Sequence, residues 1–99
     1  MTLTSKQRAF LNSQAHSLKP IIQIGKNGLT DGLIAQIDES LERHELLKIN
    51  VLETAGISGK LCAGELAEGL GADVVQVIGA KVTLYRPASD PEKRTIELP

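Results

Sequence analysis

Ninety-nine residues, 41% of them hydrophobic, with a net charge of −1, suit one globular core and leave no room for a second domain. No apolar run approaches the ~20 residues of a membrane span, and MTLTSKQRAFLNSQAH lacks the basic start, apolar centre and small-residue cleavage site of a signal peptide, so a cytoplasmic protein is expected. Cys62 is the only cysteine, which excludes an internal disulfide and a cysteine zinc site and predicts an inert core thiol.

Thr4, Ser5, Lys6 and Gln7 have the spacing of a capping box and open a predicted first helix that runs to about Leu18. Phe10, Leu11, Ala15 and Leu18 form its apolar stripe, and Pro20 turns Lys19 extended and stops it. PIIQI, ending at Gly25, reads as the first strand. Leu29, Leu33, Ile37 and Leu41 then recur every fourth residue with Ile34 beside them, the stripe of a second helix. Asp31 in its first turn suits the positive end of the helix dipole. LLKINVLE alternates apolar Leu47, Ile49 and Val51 with Lys48 and Asn50, which predicts a half-buried strand. Cys62, Ala63, Leu66, Ala67 and Leu70 stripe a third helix between Ser58 and Gly71, although Gly64 and Gly69 inside it cost about 1 kcal/mol each relative to alanine. DVVQVIGAKVTLYR reads as a hairpin with Gly79-Ala80 as a type II′ turn, and RTIEL offers a short edge strand.

The order α-β-α-β-α-β-β predicts one α/β domain over residues 1–99, a four-stranded mixed sheet with helices mainly on one face. Opposite the apolar set lie Gln23, Lys48, Asn50, Gln76, Lys81, Thr83 and Tyr85, so the other face is expected to be wet. Tyr85 either stacks a base there or packs as a partly buried strand tyrosine. No repeat, linker or low-complexity segment interrupts the pattern.

Charge is unevenly distributed. Residues 1–30 carry Lys6, Arg8, Lys19 and Lys26 and no acid, for +4, while residues 31–99 carry −5. Such asymmetry points to a polyanion-binding face on an acidic body, or to chance clustering of solvated charges. The acid-free segment closes on Gly25-Lys26-Asn27-Gly28, at the handover from strand to helix. As a turn, this tetrapeptide needs only the tolerance of glycine and asparagine for positive φ. As a nucleotide site it lacks both G-x-x-x-x-G-K-[ST] and G-x-G-x-x-G. As a G-x-x-G loop it lets a sugar-phosphate backbone approach closely while helix N–H groups attract phosphate.

LKPIIQIGKNGLTDGLIAQIDESLERHELLKINVL, followed by LAEGLGADVVQVIGAKVTLYRP, resembles bacterial CRM domains of the YhbY type over essentially the whole chain. The QIGKNGLT loop, the HELLKI strand entry and the VVQVIG…LYRP hairpin stand in the same order and spacing. The resemblance implies a fold like KH modules and the C-terminal domain of bacterial translation initiation factor three. It also implies RNA binding through Gly25, Lys26, Asn27 and Gly28, and, for single-domain bacterial members, association with large-subunit precursors. ETAGISGKLCAGELAEG departs from the family pattern in being richer in glycine and poorer in charge.

Other chemistry finds no constellation. His16 and His44 stand apart without a ligand set, Ser58 and Ser89 have no evident base, and the acidic run Asp38, Glu39, Glu42, Glu45 reads as a solvated helix face with Arg43 nearby. The reading is a binder with no catalytic residue, cofactor, metal, membrane or small-molecule substrate. Its expected partner is ribosomal RNA or a large-subunit precursor particle, contacted by the GKNG loop together with Lys6, Arg8 and Lys19. The competing reading is a protein-interaction module that docks through an open sheet face, with GKNG a mere turn. With Phe10 and Tyr85 the only aromatic residues, RNA recognition would follow backbone and shape more than base identity.

Overall fold

In the computed structural model, which describes residues 3–99, helix α1 (Ser5–Ala15) opens as its capping box predicts. The Gln7 N–H donates to Thr4 Oγ1 and the Thr4 N–H to Gln7 Oε1, both at 3.1 Å. The helix ends at Ala15, a turn earlier than its apolar stripe suggests, with His16 as its C-cap. Strand β1 (Ile22–Ile24), helix α2 (Asp31–His44), strand β2 (Leu46–Val51), helix α3 (Gly59–Leu70) and the hairpin β3 (Asp73–Ile78) and β4 (Lys81–Tyr85) follow in the predicted order.

The sheet order is β1-β2-β4-β3, with β1 parallel to β2 and the other two pairs antiparallel. The hairpin turn has φ 55° at Gly79, and Ala80 is not among the positive-φ residues, the sign pattern of a type II′ turn. The register shifts between Val74 and Gln76, so Val75 is extra in β3.

Two apolar layers enclose the sheet. Alternate residues Ile22, Ile24, Leu47, Ile49, Val51, Val82 and Leu84 pack with Ile37 and Leu41 of α2 and with Cys62, Ala63 and Leu66 of α3. Burying Leu66, at about 1.5–3 kcal/mol, offsets much of what Gly64 and Gly69 cost α3. The first turn of α3 lies so close to the hairpin that a Cβ on Gly59 would stand 2.5 Å from the Gly79 carbonyl oxygen.

On the opposite face α1 contributes Leu11 and Ala15, which pack with Leu46, Val75 and Tyr85 and with Ile96 and Leu98 of the C-terminal segment. Helices α2 and α3 thus share one face, and the face expected to be wet is half covered by α1. Tyr85 is 2% exposed and stacks no base, because its ring fills the layer beneath α1. Burial pushes its phenol up, with Glu45 adding to the effect. RTIEL forms no strand. Its backbone bonds to a side chain instead of to the sheet edge, since Thr95 and Ile96 donate to the Glu45 carboxylate at 2.7 and 3.1 Å.

That carboxylate is buried, and it also accepts from the Ala88 N–H at 2.9 Å and Thr95 Oγ1 at 3.2 Å. Burial pushes the Glu45 carboxyl up, but the hydrogen bonds from Thr95, Ala88 and Ile96 outweigh it and leave the group below its ordinary value. Glu42 accepts from the Ser89 N–H and hydroxyl, at 2.9 and 2.7 Å, which lowers its carboxyl too. Arg86 bridges Asp38 at 2.6 Å and donates to the Leu70 carbonyl at 3.1 Å. The acidic side of α2 is therefore only partly a solvated face: Glu39 pairs with exposed Arg43, and the other three carboxylates hold the segment that follows β4.

Candidate nucleic-acid interface

Strand β1 ends where the Ile24 carbonyl accepts from the Leu52 N–H at 2.8 Å, which fixes the root of residues 25–28 beside the end of β2. The Gly28 N–H then donates to the Gly25 carbonyl at 2.9 Å, closing a turn with Lys26 and Asn27 at its exposed tip. Gly28 leaves the turn at φ 64°, a conformation that costs a side chain roughly 1–2 kcal/mol. Thr30 caps α2 immediately afterwards, its Oγ1 accepting from the Leu33 N–H at 3.1 Å. Gly25 has a different role. A Cβ there would approach only Leu52 and Thr54, at 3.8 Å, so internal packing does not require the bare backbone and an outside ligand can use it.

The turn and the start of α2 enclose a groove of about 410 Å³, lined by Gln23 and the four turn residues on one side and by Thr30, Gly32, Leu33 and Gln36 on the other. The first N–H groups of a helix have no intrahelical partner, so this wall attracts anions through its free donors and the positive end of the dipole. Lys26 adds a full positive charge at the tip. The carboxylate of Asp31 in the same first turn opposes part of that attraction.

Of the four cations in the acid-free segment, Lys26 alone lines this groove. Lys19 is exposed in the α1–β1 connection and Lys6 on the first turn of α1. The Arg8 guanidinium donates to the Val74 and Val75 carbonyls beside the β3 bulge. Asn50 and Ile78 both register with Lys81, so β3 reaches the GKNG end of the sheet at Ile78, and Val74 lies about 13 Å back from it at ~3.3 Å per residue. Thr30 and Gly32 are groove residues that the sequence reading did not single out, and Gln36, one turn further along α2, lines the groove as well. Thr30 had a signal, a hydroxyl residue just before a helical stripe with Leu33 three positions on.

Fold and turn together define a small α/β module of the G-x-x-G kind, in which a mixed four-stranded sheet presents a glycine-bounded turn at a helix N-terminus. The chain belongs to the CRS1/YhbY (CRM) domain family, whose model matches residues 3–86. It is 43% identical over 97 residues to "Probable RNA-binding protein YqeI" of Bacillus subtilis, covering 98% of this chain and 99% of the relative. It is 39% identical to an "RNA-binding protein" of Haemophilus influenzae over 99% of this chain and 96% of the relative. The solution structure of SAV1595 from Staphylococcus aureus superposes with a TM-score of 0.74 at 38% identity, covering 99% of this chain and 100% of that one.

Proposed function

We propose that this chain binds RNA, with residues 25–28 clamping a sugar-phosphate strand against the N-terminus of α2. The observation that carries the reading is the turn: Lys26 and Asn27 stand exposed between two glycines, beside the start of α2, where Thr30 takes up the Leu33 N–H and the N–H groups of Asp31 and Gly32 have no acceptor within the helix. Such backbone admits phosphate closely, while Lys26 supplies charge and Asn27 a hydrogen-bond donor. The names carried by the similar proteins support the same reading. Lys6, Arg8 and Lys19 belong to it as contributors of positive potential, with Arg8 also tied to β3. The target in this reading is ribosomal RNA within a large-subunit precursor, and the protein acts as an assembly factor in the cytoplasm rather than as an enzyme. With Tyr85 buried, readout rests on backbone and shape.

The test replaces Lys26 and Asn27 together by Asp. The tip is exposed, so stability should change by no more than about 0.5 kcal/mol per site. Affinity for transcripts of large-subunit ribosomal RNA should fall at least about tenfold, ~1.4 kcal/mol. The parent should show a slope of log K against log salt of roughly −2 to −3.5, for about three to five phosphate contacts, and the variant a shallower one. A variant that melts and binds like the parent would leave residues 25–28 as a turn and refute the clamp.

A further inference from the structure

The face that α1 only half covers holds a second groove, of about 290 Å³, between the end of α1 and the sheet. Asn12 and His16 form its helical wall, Lys48, Gln76 and Lys81 rise from the sheet, and Ile78, 62% exposed, edges it. Among the described residues no carboxylate lines it. Its volume is near the lower limit of small-ligand pockets, which suits one unit of a longer chain better than an enclosed small molecule. The bulge in β3 shapes this wall, because Val75 fills the layer under α1 and the register then resumes with Gln76 paired to Thr83.

Strand register connects the two grooves. Gln23, which lines the groove at the GKNG turn, pairs with Asn50, and Asn50 pairs with Lys81. Paired residues share a face, so these three side chains form one polar row across β1, β2 and β4, spanning two strand spacings or about 10 Å. The row leads from the turn to the second groove past amides that donate to phosphate or ribose oxygens. Two ammonium groups wait at its end. Lys48 uses one donor on the Leu18 carbonyl, at 3.3 Å, and keeps the others, while Lys81 is exposed. The His16 imidazole offers a surface on which a base can stack, and Ile78 an apolar contact for its neighbour.

We propose that the RNA strand leaving residues 25–28 continues along the Gln23–Asn50–Lys81 row and seats a nucleotide in the groove between α1 and the sheet, with Lys48 and Lys81 on its phosphates. The proposal rests on RNA binding at the GKNG turn and extends that site onto the opposite face of the sheet. Binding then depends on strand length. An oligonucleotide of about four nucleotides occupies the turn alone, and one of about ten reaches the second groove.

The experiment titrates the full chain with single-stranded oligoribonucleotides of about four and about ten nucleotides, reading amide chemical shifts and affinity. The short RNA should perturb residues 25–28 only, and the longer one should add Lys81, Gln76 and Asn12. Lys81→Glu, a change at an exposed position that leaves the melting temperature in place, should weaken the longer RNA about tenfold, make its salt slope shallower by about 0.7, and leave the short one unaffected. Replacing Lys26 and Asn27 by Asp should weaken both. If the Asp variant loses binding while Lys81→Glu binds the longer RNA like the parent, the second groove is refuted and the turn stands. Equal losses on both lengths from Lys81→Glu refute it as well, since they report general repulsion. If the parent binds neither RNA, the proposed function itself fails.

Discussion

Glu45 is the residue whose replacement should damage this fold most for the smallest change of atoms. Its backbone sits at φ 66°, the only described non-glycine residue with a positive φ, and its carboxylate collects four donors from Ala88, Thr95 and Ile96. Glu45→Gln keeps the size and one oxygen. With that oxygen on Thr95 and Ile96, the new NH2 faces the buried Ala88 N–H, donor against donor. An unsatisfied buried donor costs about 1–3 kcal/mol, and demoting the remaining bonds from charged to neutral removes roughly 1 kcal/mol more. The expected loss is about 2–4 kcal/mol, against ~5–15 kcal/mol for a whole domain.

At about 4–8 °C per kcal/mol for a chain of this size, thermal melting followed by circular dichroism at pH 7 should show a drop of at least ~8 °C. The pH dependence carries the stricter test. The folded carboxyl lies below its ordinary value of 4.5, so the stability it contributes is present above the unfolded value and is lost as pH falls through the folded one. The gap between parent and variant should therefore be widest near neutrality and close progressively below about pH 4.5. Glu42, also lowered, is common to both proteins and cancels in the comparison. Glu39→Gln, in an exposed pair with Arg43, serves as control and should cost under about 0.5 kcal/mol. A drop within 2 °C of that control, by the ~4–8 °C per kcal/mol scale, or a gap unchanged from pH 7 to pH 3, would show that the ionised carboxylate does not hold the C-terminal segment.

Gly25→Ala and Gly28→Ala should separate in opposite senses. The first meets only van der Waals contacts at 3.8 Å and should keep the parent's melting temperature while weakening RNA binding several-fold, about 1 kcal/mol; the second should lose roughly 1–2 kcal/mol of stability to its φ of 64°. Gly25→Ala with full RNA affinity would remove the case for close backbone approach. Gly59→Ala should cost about 1–3 kcal/mol in denaturant titration, because its Cβ meets the Gly79 carbonyl at 2.5 Å and that oxygen sits on a rigid hairpin; a loss below ~0.5 kcal/mol would mean that helix and turn separate easily.

What the sequence made legible is what is local. The capping box at Thr4, the stripe of α2, the alternation in β2 and the glycine of the β3–β4 turn each rest on residues within a few positions of one another, and each element formed where its pattern stood. The GKNG turn was readable for the same reason, since four contiguous residues and one cap contain its whole geometry. The second apolar layer had no such signal. Tyr85 and Lys81 alternate alike along β4, yet one is buried and the other exposed, because α1 crosses the sheet at the Tyr85 end and stops short of the other.

The same limit explains the C-terminal segment. RTIEL has the β-branched look of a strand, but an edge strand needs a free neighbouring edge, and its donors instead found Glu45, some 50 residues earlier in the chain. Periodicity cannot distinguish a solvated carboxylate on α2 from one turned inward at a C-cap of positive φ. The charge asymmetry was likewise real in sequence and divided in space. Lys26 reached the groove, Arg8 became a tie to the β3 bulge, and the two lysines that complete a cationic face, Lys48 and Lys81, come from the acidic part of the chain. A tally of charge along the sequence lets the acids around them cancel them, whereas the strand register sets them, with no carboxylate in the groove lining, at the end of a polar row that begins at the turn.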